Sequence, residues 1–126
     1  MARKRIKQRA AVGALGKQLT RRSRGRCELC GEADEPRLFE LPPFPEEPDP
    51  DRTLVACGRC RTALEQGNLD WRGAQFLLEA IWSEVRPVRL AAARLLVACD
   101  VIDDPWVRDA LEAAAVDPST GEFTAA

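Results

Sequence analysis

The sequence contains no histidine. Histidine is the commonest general base in enzymes and the usual partner of a nucleophilic serine or cysteine, so its absence excludes the Ser-His-Asp and Cys-His types of catalytic site. It also excludes every zinc site that requires an imidazole ligand. Acidic residues are plentiful, but no pair of them can be distinguished from ordinary solvent-exposed carboxylates. We therefore expect a protein without enzymatic activity.

A long apolar segment is also missing. The apolar stretch near the start, from Ala10 to Gly16, is short, is interrupted by glycines and lies between basic residues. It does not have the pattern of a secretory signal peptide, and no run is long enough to cross a bilayer. The sequence shows no internal repeat. We expect a cytoplasmic protein, in a compartment that keeps thiols reduced.

The net charge of −1 conceals a strong asymmetry along the chain. Residues 1–26 carry ten Lys or Arg and no acidic residue, whereas residues 27–126 carry nine Lys or Arg against twenty Asp or Glu. The first nine residues form a basic arm, whose charged members are Arg3, Lys4, Arg5, Lys7 and Arg9. Such an arm predicts a nucleic-acid or protein partner, with docking onto the acidic body and simple solvation as alternatives. Nothing indicates a membrane partner or a small-molecule substrate.

The most informative feature is a pair of Cys-x-x-Cys motifs. Cys27 and Cys30 form the first, Cys57 and Cys60 form the second, and 26 residues separate them. Four thiolates in two tight turns are the ligand set of a structural, tetrahedral Zn²⁺ site, which has no open coordination position for catalysis. We therefore predict one structural zinc ion held by these four residues. Two disulfides, an iron–sulfur cluster and a redox pair are the alternatives.

The segment between the motifs predicts a small β-structure. Residues 37–41 and 53–56 have the composition of short strands and are expected to pair, and the proline-rich, acidic residues 42–51 are expected to form an extended connection. Glycines beside the cysteines, Gly31 and Gly58, suit a backbone with positive φ. The second motif leads into a helix over 61–66 that ends at Gly67. A motif that opens into a helix is typical of a treble clef and two motifs on hairpins are typical of a zinc ribbon, and the sequence leaves both open.

The second half of the chain is predicted to be helical. Apolar spacing indicates helices over 70–84 and 88–99, and Asp104-Pro105 is a capping residue followed by proline at the first position of a third helix. Cys99 falls on an apolar stripe and is expected to be a buried small side chain. The three tryptophans are expected to pack the lobes together: Trp71, Trp82 and Trp106.

These elements predict an α+β protein in which a small tetracysteine zinc lobe with two short strands precedes about three helices. The predicted organisation is a basic arm with a short helix over its last part (1–23), a zinc-binding lobe (24–68), a helical lobe packed on it (69–116) and a tail (117–126).

Several runs in this sequence resemble the amino-terminal, zinc-binding part of bacterial PhnA-like proteins, which take their name from the alkylphosphonate-utilisation operon. They are Arg-Cys-Glu-Leu-Cys-Gly (26–31), Phe-Glu-Leu-Pro-Pro (39–43), Leu-Val-Ala-Cys-Gly-Arg-Cys (54–60), Trp-Ser-Glu-Val (82–85), Pro-Val (87–88) and Arg-Leu-Leu (94–96). The resemblance covers about residues 24 to 116 and implies that the four paired cysteines bind zinc. Many members continue into an all-β domain that has no counterpart here, and members usually carry a Trp nearer the Trp-Ser-Glu-Val block, often with a His close by.

The function expected from these features is that of a non-catalytic, zinc-stabilised small bacterial protein that binds another macromolecule. The PhnA-like family implies no established activity, and an accessory role in phosphonate metabolism rests on its name alone. Cys-Glu-Leu-Cys-Gly, the proline-rich middle and the helix after the second motif are also similar to the structural zinc knuckles of HNH endonucleases. Nuclease chemistry needs the missing histidines, so this second resemblance implies at most a degenerate scaffold that binds nucleic acid.

Overall fold

The computed structural model describes residues 15–44, 46–47 and 49–124, which form a mixed α+β structure as the sequence predicts. In chain order the helices and strands are α1 (Gly16–Ser23), β1 (Arg37–Glu40), β2 (Thr53–Ala56), α2 (Gly58–Gln66), α3 (Leu77–Ala80), α4 (Arg86–Ala98), α5 (Pro105–Ala113), β3 (Val116–Asp117) and β4 (Glu122–Phe123). Two 3₁₀ turns, Pro50–Arg52 and Trp71–Gly73, precede β2 and α3.

The predicted pairing of the first two strands is confirmed. β1 and β2 run antiparallel, with Arg37 opposite Ala56 and Glu40 opposite Thr53. The proline-rich connection closes at its base through Arg52, whose Nε donates to the carbonyl of Leu41 over 3.1 Å and whose terminal nitrogen donates to the carbonyl of Pro42 over 2.7 Å. Every residue of β2 is buried, so this strand lies in the interior of the protein.

The centre of the protein is α4. Proline in its first turn suits a helix start, and the run of small and branched side chains that follows packs on several sides. Its buried residues include Leu90, Leu95 and Leu96 and three consecutive alanines. The helix contacts α2, α3, β2 and the 3₁₀ turn at Pro50–Arg52, and one hydrophobic cluster runs from the cysteines of the zinc lobe to Val116. The two predicted lobes therefore share a single core.

The single helix predicted over 70–84 is wrong. Asp70 caps a 3₁₀ turn by accepting from the amide of Arg72 over 3.0 Å, and the α-helical part is limited to Leu77–Ala80. Gly73 lies within the predicted helix, where glycine costs about 1 kcal/mol relative to alanine. The apolar spacing is still used, because Ala74, Leu77 and Ile81 are all buried. Turns can bury the same residues without a continuous helix.

The other two predicted helices are present with small shifts at their starts and ends. The second starts at Arg86, before Pro87, and ends at Ala98. In the third, Asp104 accepts from the amide of Trp106 over 2.8 Å, as its predicted capping role requires. Residues 117–126, assigned to a tail from the sequence, contain Asp117 of β3 and all of β4. In this pair Val116, the last residue of the predicted helical lobe, lies opposite Phe123. Ala125 and Ala126 lie outside the described residues.

The expectation that the tryptophans join the lobes is wrong for two of the three. Trp82 is 59% exposed and Trp106 is 78% exposed, whereas Trp71 packs against the core. Trp82 lies in a turn and Trp106 in the first turn of α5, and the aliphatic side chains of α4 fill the core without them. Among the described residues, the helices are too short and too polar to cross a bilayer.

Candidate metal centre

The two Cys-x-x-Cys motifs are held in different local structures. The first is a tight knuckle after α1, in which the amide of Gly31 donates to the carbonyl of Cys27 and the amide of Cys27 donates to the carbonyl of Glu32, both over 2.9 Å. Gly31 has a φ of 82°, as the sequence predicts for this knuckle. In the second motif Cys57 is the N-cap of α2 and Cys60 lies in its first turn. Gly58 is helical there and does not use the positive φ expected of it.

The order of these elements favours one of the two local topologies that the sequence leaves open. A knuckle supplies two cysteines, the β1–β2 hairpin follows, and the N-cap and first turn of α2 supply the other two. This order is typical of a treble clef, since the second pair comes from a helix and not from a second hairpin. Because α2 packs on α4, the helical lobe fixes the position of the second pair.

The structure brings all four predicted cysteines together. Their sulfur atoms all lie within 4.8 Å of one another, and Cys30 Sγ and Cys57 Sγ are 3.6 Å apart. A tetrahedron of four sulfurs at about 2.3 Å from Zn²⁺ has edges of about 3.8 Å, so the spacing fits this metal. A disulfide requires sulfurs about 2.05 Å apart. Cys27, Cys57 and Cys60 are each 3% exposed or less, which describes a closed site.

Burial and hydrogen bonds shift the pKa values of the cysteine thiols in opposite directions. A hydrogen bond from Cys60 and several backbone amides lower the pKa of Cys27 to about 4. The same hydrogen bond and burial raise the pKa of Cys60, and burial raises the pKa of Cys30 to about 11. The protein groups therefore stabilise one thiolate and oppose others beside it. A divalent cation supplies the charge that allows several thiolates to share this volume.

The first knuckle is anchored through a residue that the sequence analysis did not identify. Glu28, the first residue between Cys27 and Cys30, accepts two hydrogen bonds of 2.8 Å from Arg22 of α1. Its Oε1 also accepts from the amide of Val55 over 2.9 Å, and Arg22 donates to the carbonyl of Thr53 over 3.0 Å. The Glu28 side chain is only 6% exposed. This network joins α1, the knuckle and β2, and a spacing of six residues between Arg22 and Glu28 has no recognisable sequence signature.

A second arginine attaches the loop after the first knuckle to α2. Arg61 donates from Nε to the carbonyl of Ala56 over 3.1 Å and from a terminal nitrogen to the carbonyl of Glu35 over 2.9 Å. The amide of Gly58 also donates to the carbonyl of Asp34 over 3.2 Å. These hydrogen bonds join the segments that carry the two cysteine pairs. They therefore restrict the distance between the pairs even without a metal ion.

The remaining candidate residues lie away from the cluster or outside the description. Cys99 is half-buried near the end of α4 and is not part of the sulfur cluster. Burial, and to a smaller extent the charge of Asp70, raise the pKa of its thiol, as expected for an inert side chain. The basic arm, from Arg3 to Arg9, falls outside the described residues, so its predicted partner remains a prediction.

Comparisons with known proteins return no relationship for this chain: no protein-family model, no curated protein and no solved structure matches it. The resemblance to PhnA-like proteins therefore stays a prediction from the sequence. What the structure establishes is a small α+β protein with a buried four-cysteine cluster that is suited to bind a metal ion.

Proposed function

We propose that this protein is a non-catalytic module, stabilised by one structural zinc ion, that binds another macromolecule. The observation that carries the structural role is the closure of the four-sulfur cluster: three of its cysteines are almost fully buried and all four sulfurs are within reach of one ion. A tetrathiolate site leaves no position for water or substrate. The ion would be bound by Cys27, Cys30, Cys57 and Cys60, and it would link the knuckle to α2.

The surface of the helical lobe supports a binding role. Trp82 and Trp106 expose most of their side chains on a protein whose core is otherwise well filled. Exposed tryptophan is enriched among the residues that dominate binding energy at interfaces, where it supplies both apolar area and a hydrogen-bond donor. The PhnA-like resemblance fits such a role without adding an activity to it.

A nucleic-acid partner is favoured by two observations taken together. Ten of the nineteen basic residues lie within the first 26 positions, and the knuckle, hairpin and helix follow the order expected of a degenerate HNH-like scaffold. The partner would contact the arm through Arg3, Lys4, Arg5, Lys7 and Arg9. Each phosphate that such residues neutralise releases counterions, so affinity for duplex DNA must fall with salt.

A mobility-shift titration at two salt concentrations tests the partner class. If about five phosphates are engaged, the plot of log affinity against log salt has a slope of roughly −4 to −5, and deletion of residues 1–10 flattens it. The deletion should leave the zinc content and the helicity unchanged. Equal, weak binding by the full-length and shortened proteins would contradict a nucleic-acid role for the arm and would favour a protein partner.

A further inference from the structure

Arginine side chains from two parts of the fold surround the β3–β4 hairpin. Arg94 of α4 donates from Nε to the carbonyl of Gly121 over 3.0 Å and pairs with the carboxylate of Glu122, to which Arg52 also donates over 3.3 Å. Two further arginines of α4 stack on Phe123: the guanidinium carbon of Arg86 is 4.7 Å from the ring centroid and that of Arg89 is 5.2 Å from it. We call Arg52, Arg86, Arg89 and Arg94 the arginine cluster.

The charges of the arginine cluster are not balanced. Glu122 is the carboxylate that pairs with it, and it serves Arg52 and Arg94. Among the described residues, neither Arg86 nor Arg89 forms an ion pair with an acidic side chain. Both guanidinium groups lie close to the same ring centroid, so two positive charges share one aromatic contact.

One donor of this arginine pair is also unsatisfied. Arg89 Nε is buried and, within the part of the chain that the structure describes, has no acceptor. Arg86 is exposed, so its guanidinium is open to solvent. The first turn of α4 contains no acidic residue and its N-cap, Val85, provides no side-chain acceptor. A helix start normally favours negative charge, yet this one carries two arginines.

We propose that Arg86 and Arg89 bind a phosphate group at the junction of α4 and β4, with Arg52 and Arg94 adding positive potential behind them. Planar guanidinium groups match the oxygens of phosphate, and two of them spaced by one helical turn can contact one anion. The group is either free, as inorganic phosphate or a nucleotide, or part of a nucleic-acid strand. This inference goes beyond the proposed function, because it uses neither the zinc centre nor the basic arm.

The test is an NMR titration of the zinc-loaded, full-length protein at constant ionic strength, followed through the arginine Nε and backbone amide signals. Inorganic phosphate, a nucleoside monophosphate and a short oligothymidylate are added in separate experiments. We expect saturable shifts at Arg86 and Arg89. Tighter binding of the oligonucleotide than of the two small ligands assigns the site to a strand, and equal binding assigns it to free phosphate. Non-saturating shifts with all three ligands would overturn the proposal.

Variants separate recognition from folding. Arg86→Gln and Arg89→Gln should each weaken phosphate binding about tenfold, the loss expected for one charge-assisted hydrogen bond. Arg72→Gln is the matched control, because Arg72 is also exposed and lies outside the arginine cluster. Phe123→Leu removes the stacking partner but keeps both guanidinium groups, so its affinity should stay within about threefold of the parent. The proposal is overturned if Arg72→Gln weakens binding as much as the cluster variants do, or if Phe123→Leu does so while both arginines are present.

Discussion

Replacing Arg22 by methionine tests whether the Arg22–Glu28 network holds the first knuckle in place. The change keeps a long side chain on α1 but removes both hydrogen bonds to Glu28 and the one to the carbonyl of Thr53. Among the described residues, Glu28, which is 6% exposed, then retains only the amide of Val55 as a partner. Breaking a buried ion pair from one side costs about 3 to 5 kcal/mol, because the remaining charge stays desolvated. Arg22 itself is 26% exposed, so water recovers part of this, and we expect a loss of about 2 to 4 kcal/mol.

The assay is thermal unfolding at a fixed excess of free zinc, since bound metal contributes to stability by mass action. For a domain of this size a change of 1 kcal/mol shifts the midpoint by about 4 °C, so Arg22→Met should lower it by about 8 to 16 °C. Arg21→Met is the matched control, as Arg21 is its exposed neighbour in α1, and should shift the midpoint by less than about 2 °C.

A double variant distinguishes the ion pair from simple packing. Combining Arg22→Met with Glu28→Gln removes the stranded carboxylate and keeps an acceptor for the amide of Val55, so the double variant should be more stable than Arg22→Met alone. The reasoning is refuted if Arg22→Met unfolds at the same temperature as Arg21→Met, or if the two changes in the double variant simply add.

Two further predictions concern single side chains. Cys60→Ser should abolish stoichiometric zinc binding and unfold the knuckle and α2, as judged by metal content and circular dichroism, whereas Cys99→Ser should keep the metal; the opposite pattern would exclude the proposed ligand set. Within the described residues no donor completes a hydrogen bond to the buried carboxylate oxygens of Glu40. Burial raises the pKa of Glu40, against smaller opposing effects of the nearby backbone amide of Asp49 and the charge of Arg52. A raised native-state pKa means that stability is lost as the pH rises through it. Glu40→Gln should therefore be more stable than the parent at pH 8, and this difference in stability should shrink as the pH falls towards 5. A difference that does not change with pH would contradict this.

The sequence predicts the zinc lobe well because its signals are local. Cysteine spacing, the composition of the two strand segments and the glycine that ends α2 at Gly67 each depend on a few neighbouring residues. The same holds for Asp104 and Pro105 at the start of α5, because a helix-capping signal depends on only two or three adjacent residues. Where one local preference dominates, the predicted and observed elements agree.

The sequence predictions fail where contacts between residues far apart in the chain help to determine the structure. The 70–84 segment has helical spacing, but Gly73 weakens a helix there, and the turns that form instead still bury Ala74 and Ile81 in the shared core. The sequence predicts that Trp82 and Trp106 pack the lobes together, yet α4 fills the core without them. The networks around Glu28 and Glu122 join residues that are far apart in the chain, such as Arg52 and Glu122. No pattern in the sequence marks such pairs.

The central claim, that four cysteines hold one structural zinc ion, is tested most directly by measuring metal and thiols on the same purified sample. Elemental analysis should find one zinc per chain and no stoichiometric iron. Thiol titration should give at most one reactive cysteine, the half-buried Cys99, while the metal is bound, and five after denaturation with a chelator, the number present in the sequence. Absence of zinc, stoichiometric iron or sulfide, or fewer than five thiols after denaturation without reductant would contradict the account.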